Sequence, residues 1–159
     1  VSIQVICGAP GSGKTTHVAQ HAQSGDLIID VDALYHALTG LAWYDKPQSL
    51  LKYVLAARDG ILNKLARSPD VNAWIVAEAP RRAERNRLRD RFDAQVTVME
   101  IPTADCLLRI SADDRRKGHL EEWMPRVQSW WQRYEKDERD TVIGLPTSLN
   151  ETATKADVP

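Results

Sequence analysis

Gly8-Ala9-Pro10-Gly11-Ser12-Gly13-Lys14-Thr15 sets the frame for everything around it. These residues fit G-x-x-x-x-G-K-[ST], a loop whose backbone N–H groups wrap a run of phosphates. The flanks agree with that reading. Ile3-Gln4-Val5-Ile6-Cys7 is an apolar run that predicts a buried strand, and Thr16 to Gln23 predicts a helix. Gly8, Gly11 and Gly13 let the chain turn tightly and aim its N–H groups inward. A helix starting near Lys14 adds the positive end of its dipole to the same hollow. In such a loop Lys14 reaches the β- and γ-phosphates and the Thr15 hydroxyl ligates Mg²⁺, with Ala9, Pro10, Ser12 and Thr16 completing the cradle. The motif implies a bound nucleoside triphosphate, carried with Mg²⁺. What it leaves open is where the phosphate goes.

The chain has 159 residues, enough for one domain with a sizeable core. A formal net charge of −1 supplies no global field for nucleic acid, so any basic surface must be local. The two cysteines, Cys7 and Cys106, fit neither a metal-ligand spacing nor a disulfide framework and point to a reducing, cytoplasmic setting. No basic region precedes a long apolar run at the N-terminus, and no apolar stretch is long enough for a bilayer, which predicts no leader and no membrane partner.

Strand and helix patterns alternate along the chain. Leu27-Ile28-Ile29 predicts a second strand running into Asp30-Val31-Asp32, followed by a short helix over Ala33 to Leu38 that Gly40 stops. Trp43 and Tyr44 fall in a loop. Leu50, Leu51, Val54, Leu55, Ile61, Leu62 and Leu65 recur at helical spacing, and Ser68-Pro69-Asp70 ends that helix. Ala73 to Ala77 predicts a third strand, Arg81 to Phe92 a basic helix, and Val96 to Ile101 a fourth strand. Thr103 reads as an N-cap, residues 113–122 as a charged mobile segment, and Pro125 as the first residue of a last helix reaching about Arg139. The expected organisation is one domain over 1–149 and a small, polar, disordered tail over 150–159. Alternating strands and helices imply an α/β fold: a three-layer αβα sandwich on a mostly parallel sheet. Ligands in such sheets bind beyond the carboxyl ends of the strands. The P-loop, Asp30, Asp32, Glu78 and Pro102/Thr103 should therefore open on one edge.

Several side chains on that edge could do chemistry. An extended backbone at the end of the second strand would send Asp30 and Asp32 to one face. Asp32 there can take the proton of an attacking hydroxyl, or either residue can simply cap the following helix. Glu78 follows four mostly apolar residues, as in a Walker B carboxylate that supports Mg²⁺, although many strands end in an acid. Arg109, Arg115, Arg116 and Lys117 surround a glycine-containing segment. Arginines closing there would stabilise charge on a transferring phosphoryl group; the bland alternative is a solvated charge run.

The densest basic cluster is Arg81, Arg82, Arg85, Arg87, Arg89 and Arg91, against Glu84 and Asp90. It reads as either a grip on nucleic-acid phosphates or a wet helix face. Trp43 and Tyr44 could stack on a base or pack on a helix. Trp123, Val127, Trp130, Trp131 and Tyr134 recur at helical spacing and read as core, and the pair His17/His21 reads as surface rather than metal.

From roughly Ile3 to Tyr134 the chain resembles the kinase domain of polynucleotide 5′-hydroxyl kinases, within the wider group of P-loop nucleoside and nucleotide kinases. The resemblance rests on the P-loop through Thr16, on Asp30-Val31-Asp32, on the strand ending at Glu78, and on Glu100-Ile101-Pro102-Thr103 with Arg109 and Arg115. It implies that Asp32 is the general base on an incoming hydroxyl. It also implies that Arg109 and Arg115, on a lid at about 113–122, engage the ATP phosphates or cover the adenine. Tyr35 stands where the family commonly has an arginine that holds the acceptor's phosphate, and Glu78 where it commonly has Asp. Phage-encoded kinases of hydroxymethylated DNA bases are similar in outline. The implied activity is ATP-dependent phosphoryl transfer to a hydroxyl of a nucleic acid (a 5′-OH end or a modified base) or of a nucleotide. The alternatives are a non-transferring P-loop ATPase or switch working with a DNA-handling partner, and a small-molecule kinase.

Overall fold

In a computed structural model, which describes residues 1–145, the chain forms a five-stranded, all-parallel sheet of order β2-β3-β1-β4-β5. The strands are β1 (Ile3–Gly8), β2 (Leu27–Ile29), β3 (Ala73–Ala77), β4 (Gln95–Met99) and β5 (Thr141–Ile143). The helices are α1 (Lys14–His21), α2 (Val31–Thr39), α3 (Gln48–Arg67), α4 (Arg82–Phe92), α5 (Thr103–Ala112) and α6 (Leu120–Arg133), with a 3₁₀ turn at Lys117–His119. The expected α/β sandwich is what forms. Val5, Ile6, Cys7, Val96 and Val98 are all buried because β1 and β4 are interior strands covered on both faces. None of the described helices is long and apolar enough to cross a membrane.

The sequence expectations fail in four places. The helix after β2 begins at Val31, because Asp30 caps it: its Oδ1 accepts from the Asp32 N–H at 2.9 Å. Asp30 and Asp32 are therefore not two residues of an extended strand on one face. Thr103 is the first helical residue of α5, with Pro102 at the N-cap and no side-chain cap bond. Within residues 113–122 the structure has a 3₁₀ turn at Lys117–His119 and the start of α6 at Leu120. Pro125 lies inside α6 rather than at its start, where it has no N–H to give the Glu121 carbonyl one turn earlier. That helix also ends at Arg133, leaving room for β5, which pairs with β4 through Thr97↔Thr141 to Met99↔Ile143. The proposed tail, 150–159, lies outside the described residues.

α6 fastens the sheet to the site. Trp123, Val127 and Trp130 are buried in the core, with Trp131 and Tyr134 packed against it, as their spacing predicts. Trp130 stacks on Tyr134 at 4.8 Å, and its indole N–H donates to the Glu78 carbonyl at 2.7 Å. The residue just past β3 is thereby held at the sheet edge.

Candidate functional site

The P-loop runs from the end of β1 into α1. Gly11 and Gly13 adopt left-handed φ values of 77° and 92°. A Cβ on Gly11 would sit 2.6 Å from the Cys106 carbonyl oxygen, and one on Gly13 would sit 2.8 Å from Nη1 of Arg109. The loop is bare at these two points because α5 presses against it. Arg109 holds it there: Nη1 donates to the Ser12 carbonyl at 2.8 Å. Lys14 folds back so that its ammonium donates to the carbonyls of Gly8 and Ala9, each at 2.8 Å. Desolvation lowers the pKa of that ammonium, while Glu78 and then Asp32 oppose the shift through their charge. Both carboxylates are thus within electrostatic reach of the loop lysine.

Beyond the carboxyl edge of the sheet lies a cavity of about 740 Å³. The P-loop from Pro10 to Thr16 (Ser12 excepted) contributes to its wall, as do Asp30, Asp32 and Glu78. The convergence expected of these groups is therefore met; Pro102 and Thr103 do not line it. Thr15 Oγ1 donates to Asp30 Oδ2 at 3.2 Å, which places the hydroxyl beside a buried carboxylate at the head of α2. Glu78 is exposed to the cavity and pairs with Arg126 of α6 at 3.5 Å. Asp32 pairs with Lys46, from the loop joining α2 to α3.

The arginines separate into distinct roles. Arg109 is not on the cavity wall; it braces the P-loop from the α5 side. Arg115 and Arg116 do line the cavity. Asp113 gathers both: Arg115 donates to it at 2.9 and 3.0 Å and Arg116 at 2.9 Å. The bonded Arg115 guanidinium holds the Asp113 carboxyl down at about 2. Arg115 lies 5.3 Å over the Trp43 ring, and Arg116 sits 4.8 Å over Tyr44 and 5.3 Å over Trp123. Tyr44 packs edge-on against Trp123 at 5.2 Å, so these aromatics tie the α2–α3 loop to α6. Lys117 is exposed and pairs with Asp114.

The basic helix α4 corrects the sequence reading. Arg85 is fully buried, donating to Asp140 at 2.7 Å and to the carbonyls of Ala79, Pro80 and Glu135. Arg89 pairs with the other oxygen of Asp140, and Arg82 donates to the Lys136 carbonyl. Arg85 and Arg89 thus anchor the chain leading into β5, whereas Arg81, Arg82, Arg87 and Arg91 stay exposed. His17 and His21 stack on one another at 4.1 Å.

Sequence reasoning passed over Lys46, Arg58 and Arg126, all three on the cavity wall. None lies in a motif: Lys46 falls in a loop, Arg58 in α3 and Arg126 in α6.

The donor set fits a hard divalent cation. A threonine hydroxyl and flanking carboxylates are the oxygen ligands Mg²⁺ takes when nucleotide phosphates supply the rest. Among the described residues no group of three or more His, Cys, Asp and Glu forms an all-protein metal cage. Lys14, Thr15 and the backbone of Gly11 and Gly13 line the cavity together and fit a triphosphate.

Comparison with known proteins agrees with this architecture. A family model described as an AAA domain matches residues 3–119. No curated protein matches the chain. Among solved structures, a chain of the Pnkp1/Rnl/Hen1 RNA repair complex is similar with a TM-score of 0.59 at 14% identity, over 84% of this chain and 46% of that one. The present chain thus spans less than half the length of that relative. A gluconokinase from Sinorhizobium meliloti 1021 is similar with a TM-score of 0.56 at 20% identity, over 92% of this chain and 84% of that one. A shikimate kinase from Bacteroides thetaiotaomicron is similar with a TM-score of 0.57 at 14% identity, covering 83% and 78%. At these identities the likeness is one of fold. With the family model covering most of the chain, and with the P-loop, the parallel sheet and the cavity at its carboxyl edge all in place, the chain belongs to this AAA-domain family and has a P-loop kinase-like fold.

Proposed function

We propose that this protein is an ATP- and Mg²⁺-dependent phosphotransferase that moves the γ-phosphate to a hydroxyl, with a nucleic acid or nucleotide as the acceptor. The observation that carries the reading is the shared cavity. Asp32 faces the same space as Lys14, Thr15 and Glu78, with room between them for an alcohol. That the fold is shared with a gluconokinase, a shikimate kinase and a component of an RNA repair complex supports transfer to a hydroxyl.

In this mechanism residues 1–149 act as one kinase domain, with 113–122 as its lid. The P-loop amides of Gly8 to Thr16 cradle the triphosphate. Lys14 releases the Gly8 and Ala9 carbonyls to bind the β- and γ-phosphates. Thr15 and Glu78 would hold Mg²⁺, which would supply positive charge against the triphosphate. Asp32 accepts the proton of the acceptor hydroxyl as its oxygen attacks in line. Arg115 neutralises the equatorial oxygens from the lid, and Arg109, braced on Ser12, keeps the loop closed on the donor.

The test offers γ-labelled ATP with 5′-hydroxyl oligonucleotides, modified-base DNA, nucleosides, small polyols and no acceptor. Label on an oligonucleotide, modified base or nucleoside supports the reading. Label on a polyol alone makes the protein a small-molecule kinase. Free phosphate with no labelled acceptor makes it an ATPase and ends the transferase reading.

A further inference from the structure

The main cavity does not end at the pair formed by Asp32 and Lys46. Adjoining it, between the loop that joins α2 to α3 and the first turns of α6, lies a second cavity of about 470 Å³. The two share Trp43, Tyr44, Lys46, Arg115, Trp123 and Arg126. A molecule whose hydroxyl reaches Asp32 therefore has room to extend past Lys46 into a chamber walled by three aromatic rings.

Two donors on those walls are unspent. Trp123 is 7% exposed, yet its indole N–H donates to no protein acceptor among the described residues, whereas those of Trp74, Trp130 and Trp131 each do. A buried indole ordinarily finds such a partner. The atom is not sealed in the core, because the Ser12 hydroxyl is the one sealed, unpartnered side-chain polar atom among the described residues. It opens where Trp123 lines both cavities. The N–H of Trp43, on the α2–α3 loop, is likewise without a protein acceptor among the described residues.

The rings already hold a flat group. The guanidinium of Arg115 lies 5.3 Å from the centre of the Trp43 ring and 5.5 Å from that of Tyr44. A nucleobase, planar and with its own π-face, takes the same kind of place. In the mechanism above Arg115 turns toward the transferring phosphate, and that motion frees both rings. Tyr44 presents its ring from a left-handed backbone, φ 70°, a conformation that is costly for a non-glycine residue and recurs where loops clamp ligands.

Resting on the reading that a nucleic acid or nucleotide is the acceptor, we propose that the second cavity holds the nucleobase next to the acceptor hydroxyl. The base lies against Trp43 and Tyr44, and the Trp123 N–H donates to one of its ring nitrogens or carbonyl oxygens. These three residues thereby select acceptors that carry a base within reach of the hydroxyl over bare sugars and polyols.

The test uses two 5′-hydroxyl oligonucleotides that differ only in whether the 5′-terminal residue carries its base, and thymidine against deoxyribose. Binding is measured with Mg²⁺ and a non-hydrolysable ATP analogue present, by anisotropy of a 3′ label for the oligonucleotides and by calorimetry for the small pair. The base-bearing member of at least one pair should bind about tenfold tighter, the worth of one base stacked on an aromatic ring. Trp43→Leu should bring that pair within about twofold. Trp123→Phe keeps a ring in the core and removes the N–H; it should weaken the base-bearing member about fivefold and leave the other unchanged. A variant that only loosened the fold would weaken both members alike, so the ratio between them is what is read. The donor also carries a base, so ATP is compared with tripolyphosphate, and Trp43→Leu should leave that ratio unchanged. A fall in it assigns the cavity to the donor and overturns the proposal. Equal binding within both wild-type pairs overturns it too, as does a preference that both variants leave intact. A base preference with no transfer to any acceptor keeps the base site and removes the kinase reading; transfer to a polyol with no base preference does the reverse.

Discussion

The guanidinium of Arg85 and the carboxylate of Asp140 meet at 2.7 Å with neither side chain exposed to solvent. This ion pair joins α4 to the strand-turn that enters β5, and Arg89 shares the same carboxylate. Removing one partner leaves the other charged and buried. Asp140→Ala should therefore cost about 3–5 kcal/mol of stability. Urea denaturation monitored by tryptophan fluorescence checks it; a loss below about 1 kcal/mol would mean that water reaches Arg85 readily.

The same glycine-to-alanine change should have opposite signs at two positions. At Gly11 an added Cβ meets the Cys106 carbonyl at 2.6 Å in a left-handed backbone, so α5 must move. Gly11→Ala should lower the melting temperature and weaken ATP binding together. Gly60 lies within α3 with nothing within 4 Å of the new atom. Gly60→Ala should stabilise by about 0.5–1 kcal/mol, read from the shift in denaturation midpoint.

Lys14 and Asp32 should fail in different ways. Lys14→Ala removes the cation that the loop keeps next to Gly8 and Ala9, and should abolish both tight ATP binding and transfer. Asp32→Asn keeps the shape of the site and should leave ATP affinity within a few-fold, while transfer falls about a hundredfold to ten-thousandfold. Nucleotide binding by fluorescence and transfer of labelled phosphate separate the two. Normal transfer by Asp32→Asn would remove it as the base.

The buried thiols predict a pH effect in the alkaline range. Burial pushes Cys7 up to about 12 and Cys106 up to about 11. In the unfolded chain a thiol ionises near about 8.5. Above that pH the unfolded state sheds its protons first, so stability is whole below it and declines as pH rises toward 11. Denaturation midpoints at pH 8 and pH 10.5 should differ more for the wild type than for Cys7→Ala/Cys106→Ala. Equal differences would show that other groups carry the alkaline loss.

Periodicity and a contiguous motif told nearly all that local patterns can tell. The glycine turn with Lys14 and Thr15, the apolar runs of β1 to β4, the stripe of α3 and the tryptophan spacing of α6 were all legible, because each arises within about twenty residues of chain. The edge strand Thr141–Ile143 was not, since three residues carry no period and only pairing with β4 makes them a strand. Arg85 looked like surface because its partner Asp140 is 55 residues away. Asp32 was legible as a candidate, but Lys46 beside it was not. Helix and strand patterns are properties of neighbours in sequence. Which charges are buried together, and which cation stands next to a carboxylate, depends on chain segments that meet only when the sheet closes, and that was decided by the tertiary structure alone.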